Sequence, residues 1–183
     1  MLVSQDDAWE FVAGAHTGIL TTLRSDGAPV SLPMWFVVVD RAVYLSTPPR
    51  AAKLARIRRE PRAAFLVESG RAWVDLRAVH LSGRIRVVDD KETRTRVRGM
   101  LDSKYAAYRV PPERLPAAAR AAYADRVVLR LDPQGRLLRW DNSRIRLAPP
   151  AGPDTQPTGT IDLADTDLTD TDLADTANEG TSS

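Results

Sequence analysis

The sequence predicts a mainly β domain: a closed or nearly closed antiparallel barrel with a few flanking helices, followed by an acidic tail with no core-forming pattern. Three observations carry this. Six or seven short runs have strand character, and hairpin-length connections between them favour antiparallel pairing over a parallel sheet. Few segments have helical periodicity. After residue 148 the composition changes abruptly: no Lys or Arg follows Arg146, whereas eight acids do. The expected organisation is therefore a folded domain over 1–148 and a tail over 149–183. With 183 residues and 43% hydrophobic content, the chain can bury one ordinary core.

The elements follow in order. Ser4 and Asp7 form a capping-box signal for a helix running to about Ala15. GILTTLR and PVSLPMWFVVV flank the turn signal Ser25-Asp26-Gly27 and read as a hairpin. Asp40-Arg41 turns into a strand at Val43–Thr47, and Pro48-Pro49 stops it before a helix that Pro61 closes. Ala63–Val67 is the next strand. From Val79 to Val88 the chain alternates, with Val79, Leu81, Gly83, Ile85 and Val87 on one face and His80, Ser82, Arg84 and Arg86 on the other. Asp89 and Glu92 cap a longer helix in which Val97, Met100, Leu101, Tyr105 and Tyr108 recur at helical spacing. A second helix is expected from Pro112. Strands at Val127–Leu131 and Leu137–Asp141, joined by Asp132-Pro133-Gln134-Gly135, complete the domain. The tail runs DLADT, DLTDT, DLADT from Asp162 to Thr176. Three such units are too few to stack as a solenoid, and an acidic segment so poor in aromatics cannot offset its ordering entropy. Its aspartates lack the spacing and glycine of an EF-hand loop.

Charge and composition narrow the function. The first 148 residues carry 26 bases against 16 acids, a net of +10, which suits an anionic ligand. Cysteine is absent, excluding disulfides and thiolate-metal sites. The longest apolar run, Met34–Val39, is too short to span a bilayer, and MLVSQDDAWEF lacks a basic n-region, so a cytoplasmic protein is expected. The chemistry concentrates at YLSTPPRAAKLARIRREP. Two hydroxyls, Ser46 and Thr47, precede a helix start where Arg50 and Lys53 lie three apart on one predicted face. Hydroxyls, free helix N–H groups and two cations together can hold a phosphate. The competing reading is an amphipathic helix with a solvated basic rim. Lys53 is one of only three lysines beside 23 arginines.

The order and spacing of these segments resemble the pyridoxamine 5'-phosphate oxidase-like split barrels, especially their actinobacterial deazaflavin-dependent branch. The resemblance rests on the opening helix with GILTTLRSDGAPVSLPMWF, on YLSTPPRAAKLARIRREPRAAFLVE, on RAVHLSGRIRVVDD and on RVVLRLDPQGRLLRWDNSRI, and spans roughly residues 4–147. It implies a six-stranded antiparallel split β-barrel that forms a homodimer, with a flavin or deazaflavin in a groove between subunits. Ser46, Thr47, Arg50 and Lys53 would bind the cofactor phosphate. Pro33, Met34 and Trp35 would lie beneath or beside the ring, and Trp73 and Trp140 would line the pocket. In related sequences the arginine stands two residues before the lysine; here Arg50 is three before Lys53.

The implied activity is hydride transfer from a deazaflavin (coenzyme F-420) to a small unsaturated or oxidised substrate, with FMN as the alternative cofactor. Such a cofactor carries the chemistry, so no catalytic side chain and no metal is expected. Three rivals remain: an FMN oxidase or reductase, a flavin-binding protein without turnover, and a nucleic-acid binder. The last ranks below the others, because the arginines are scattered and no aromatic stacking platform is apparent. His16 is read as a C-cap of the first helix and His80 as a residue on a polar strand face; nothing around either supports a haem ligand.

Overall fold

The computed structural model describes residues 4–147, and the predicted tail lies outside the described residues. The chain runs α1 (Gln5–Gly14), β1 (Gly18–Leu23), β2 (Pro29–Met34), β3 (Phe36–Val39), β4 (Ala42–Thr47), α2 (Ala52–Arg59), β5 (Arg62–Ser69), β6 (Arg77–Val87), α3 (Lys91–Lys104), α4 (Ala117–Ala124), β7 (Val127–Pro133) and β8 (Leu138–Asp141). Single 3-10 turns occur at Trp73–Asp75, Ala106–Tyr108, Pro112–Arg114 and Asn142–Arg144.

Strand order is β2-β1-β5-β6-β7-β4-β3, antiparallel at every pairing. The two ends of this path, β2 and β3, are separated in the chain by Trp35 alone. They are one bent strand that pairs with β1 through its first half and with β4 through its second, so six staves curl the sheet into a split barrel. The long β6 also carries β8, which pairs over Arg77–His80 while β7 pairs over Gly83–Val87.

Local chemistry explains the elements. Ser4 and Asp7 exchange the reciprocal bonds of a capping box at 3.0 and 2.8 Å. Gly27, at φ 82°, completes the first hairpin, where Asp26 Oδ1 accepts from the Ala28 N–H at 3.0 Å. Asp40 and Arg41, at φ 50° and 55°, form a two-residue hairpin turn with both central residues left-handed.

Two predicted boundaries are corrected. The cap of α3 is Asp90, whose carboxylate accepts from Thr93 N–H at 2.6 Å, one residue later than expected. The helix expected from Pro112 is a single 3-10 turn there, and α4 begins only after Pro116, whose ring cannot continue a helix from the preceding turn.

The barrel interior is filled by Leu20, Phe36, Leu45, Phe65, Leu81, Ile85, Leu129 and Leu131, joined by Trp9 and Val12 of α1 and by Leu54 and Ile57 of α2. A second cluster lies outside the barrel, where α3 packs Val97, Leu101 and Tyr105 against Val37, Tyr44 and Val128. No described helix is long and apolar enough to cross a membrane.

Candidate functional site

Strand alternation and the α2 stripe build the basic corner of the domain. Lys53 is half-buried, and its ammonium lies 3.2 Å from Met34 Sδ. Burial holds the Lys53 pKa below the ordinary lysine value, and the nearby Arg56 charge lowers it further. Arg56 Nε donates to Thr22 Oγ1 at 3.0 Å, and Arg59 Nη2 donates to the Leu23 carbonyl at 3.1 Å. Arg56 and Arg59 thus meet the C-terminal end of β1, while Lys53, one helical step of about 4.5 Å earlier, meets Met34 of β2, opposite the start of β1. None of the ion pairs among the described residues uses a cation of α2. The N-cap position of α2 is Ala51, which offers no side-chain bond to the free N–H groups.

The hydroxyls separate. Continuing the β3–β4 register toward the split sets Met34 opposite Thr47 on the inner face and Trp35 opposite Ser46 on the outer face. Thr47 is 1% exposed, and its Oγ1 is buried without a partner among the described residues. A buried hydroxyl with nothing to bond carries a free-energy cost that an incoming acceptor would remove.

The structure therefore brings Lys53 to Met34, with Thr47 opposite Met34 in the continued register, and brings Arg56, one turn along α2, to Thr22; the sequence analysis had not grouped Thr22 and Arg56 with this site. The signals for those two were present in the β1 alternation and in the three-residue spacing along α2. Arg50 is not on the helix face predicted for it. Pro48 and Pro49 force a turn closed by Ala51 N–H to Pro48 O at 3.1 Å, so α2 starts at Ala52 and Arg50 is exposed ahead of it. Pro33 is exposed on the outer face. Trp35 stacks on Tyr105 with centroids 4.4 Å apart and planes 3° apart, and so belongs to the outer cluster.

Trp73 and Trp140 are 55% and 45% exposed, and Asn142, just after β8, ties that strand's end to the Trp73 turn by donating from Nδ2 to Trp73 O at 2.6 Å. Trp140 sits on β8, four strand steps from β2, about 19 Å along the sheet. A cleft of about 660 Å³ lies elsewhere, between Glu10 and Phe11 of α1 and Glu68 and Arg77. It contains none of the predicted cofactor residues.

The two histidines differ from expectation. The C-terminus of α1 is capped by Lys104, whose ammonium donates to Ala13 O at 3.1 Å and Ala15 O at 2.8 Å. His16 instead packs edge-on against Trp35, Tyr105 and Tyr108. His80 lies between Leu66 and Leu138 and is half-buried. No group of three or more acidic or histidine ligands for a metal occurs among the described residues.

A family model described as pyridoxamine 5'-phosphate oxidase matches residues 4–138. A crystal structure of a conserved hypothetical protein from Mycobacterium tuberculosis is similar at a TM-score of 0.66 and 28% identity, over 84% of this chain and 95% of that one. A FAD-binding protein from Mesorhizobium loti is similar at 0.59 and 18% identity, over 75% and 94% of the two chains. An F420 reductase is similar at 0.53 and 23% identity, over 69% and 92%. No curated protein matches the chain.

Proposed function

Because the chain belongs to the pyridoxamine 5'-phosphate oxidase family over residues 4–138, we propose that it is an oxidoreductase holding a phosphorylated flavin-type cofactor at the start of α2. One observation carries this: a half-buried lysine beside an arginine, with neither cation in an ion pair among the described residues. The unpartnered hydroxyl of Thr47 faces Met34, the neighbour of that lysine, in the continued strand register. Such a cluster repels itself until an anion arrives, and the chemistry it suits is a phosphate.

Lys53 and Arg56 would take the phosphate charge, Thr47 Oγ1 would donate to an oxygen, and the side chain of Met34 would pack beside the ring. Bound there, the cofactor supplies the hydride, so the residues need only bind, orient and exclude water. Of the two cofactors we favour the deazaflavin, coenzyme F-420, over FMN. Its longer anionic extension suits a domain of net +10, with Arg58 and Arg59 beyond the phosphate corner. The acceptor is a small unsaturated or oxidised molecule.

The four-strand separation of Trp140 from Met34 means that one subunit does not line both sides of such a site. A homodimer, with Trp73 and Trp140 approaching the cofactor from the second copy, completes it; the expected setting is the cytoplasm. Titration of the apoprotein with each cofactor, followed by ligand fluorescence at two salt concentrations, tests the proposal. Micromolar or tighter deazaflavin binding, weakened by salt, is expected. Tight, salt-insensitive FMN binding without deazaflavin binding would point to an FMN oxidase or reductase. Binding of neither would reject the site.

A further inference from the structure

The corner at Lys53 offers more donors than acceptors. The Lys53 ammonium lies 3.2 Å from Met34 Sδ, and no ion pair among the described residues uses it. A thioether sulfur is a weak acceptor, so this contact leaves most of the ammonium's capacity unmet. Thr47, opposite Met34 in the continued β3–β4 register, adds a second donor. It is 1% exposed, and its Oγ1 has no partner among the described residues. Met34 itself is 8% exposed within the barrel cluster, and it presents to this corner a polarisable atom that can be oxidised.

We propose that Met34 is an oxidation site that controls cofactor binding: in the sulfoxide, the added oxygen takes the hydrogen bonds of Lys53 and Thr47 that a phosphate oxygen would otherwise take. The inference rests on the phosphate site proposed above. The oxidant is a hydroperoxide, hydrogen peroxide in the simplest case. The Met34 sulfur attacks one peroxide oxygen, and an S–O bond forms as the O–O bond breaks. The departing hydroxide takes up the proton of the transferred oxygen and leaves as water. The thioether loses two electrons and the peroxide gains them. The Lys53 ammonium, already beside the sulfur, donates to the departing oxygen and steadies its charge.

A sulfoxide in an apolar core ordinarily does damage, because it buries a polar oxygen with nothing to bond. Here two donors lack a good acceptor, so the same change completes a polar corner. The two cases are separable: a held oxygen closes the site and leaves the fold intact, whereas an unsupported one melts the domain. Met100, 37% exposed on α3 and outside both core clusters, is an internal control.

The test treats the full chain with dilute hydrogen peroxide and locates the added oxygen by peptide mass spectrometry. Coenzyme F-420 and FMN are then titrated by ligand fluorescence. Oxidation at Met34 should weaken binding by ~10- to 100-fold, as losing a charge-assisted bond does. The Tm should hold within about 3 °C. Oxidation confined to Met100 should change neither. Met34→Leu, close in volume, should keep after peroxide the affinity it had before, with near-UV circular dichroism confirming its fold. In Lys53→Leu, oxidation at Met34 should lower the Tm by more than in the unaltered chain, because one donor is gone. Three results would overturn the inference and leave the phosphate site standing: Met34 still a thioether when Met100 is fully oxidised, Met34 sulfoxide with unchanged affinity, or a domain that melts on oxidation. An untreated chain that binds neither cofactor would remove the site and its control together.

Discussion

Replacing Tyr105 with Phe tests the joint between α3 and the split in the barrel. Tyr105 is fully buried, and its hydroxyl lies 2.9 Å from Phe36 N, Phe36 O and His16 O. It accepts from the Phe36 N–H and donates to one of the two carbonyls, standing in for a strand partner where β2 gives way to β3. Phenylalanine keeps the ring and its stack on Trp35 but removes the hydroxyl. The loss of one net hydrogen bond costs about 1 kcal/mol, and the orphaned Phe36 N–H adds about 1–3 kcal/mol. The expected sum of about 2–4 kcal/mol corresponds to a Tm lowered by roughly 5–15 °C for a domain of this size. Differential scanning calorimetry at neutral pH measures it directly.

The pH dependence supplies a second readout. Burial raises the Tyr105 pKa, with the bond to Phe36 pulling the other way. The folded state therefore retains its proton longer than the unfolded state. This contribution is complete below the ordinary tyrosine value near 10 and is lost as pH rises from there toward the folded pKa. The Tm gap between Tyr105→Phe and the unaltered chain should narrow above about pH 10. A Tm unchanged to within about 1 °C at neutral pH would refute the bridging role.

Three further outcomes are expected. Lys53→Met should weaken cofactor binding by ~10- to 100-fold, the loss of a charge-assisted bond of roughly 1.5–3 kcal/mol, in a fluorescence titration. Because burial lowers the Lys53 pKa, the charged form is disfavoured in the fold, so the same variant should leave the melting point of the apoprotein equal or higher. Gly83→Ala should destabilise strongly: an added Cβ would stand 2.2 Å from the Asp132 carbonyl, a backbone atom that cannot swing aside, so a loss of at least the ~1–3 kcal/mol of overpacking should appear in denaturant unfolding. Removing residues 150–183 should leave the Tm of the domain unchanged in the same calorimeter, since that segment has no core-forming pattern in its sequence.

Much of the fold was legible because it depends on short-range rules. The Ser4–Asp7 box, the Asp26-Gly27 turn and the clean alternation of β6 each act within a few residues, and each appears where expected. The candidate site was legible only in part. Lys53 was singled out as a rare lysine, yet the neighbour it meets, Met34, is 19 positions away in the chain. Grouping Ser46 with Thr47, and Met34 with Trp35, treated sequence neighbours as spatial ones. A strand sends adjacent side chains to opposite faces, so each pair was split between the barrel interior and the α3 side.

By itself, then, the sequence determined most strands and helices to within a few residues, the contrast in charge between residues 1–148 and 149–183, and the helix start that gathers positive charge. These follow from periodicity, capping and composition, which are local properties. Only the tertiary structure decided that β2 and β3 are one bent strand closing the barrel, that Lys104 and not His16 caps α1, and that His80 lies between two leucines. Those outcomes depend on register and on contacts across up to 91 residues of chain. Pairing and packing select them from many arrangements that the local pattern permits equally.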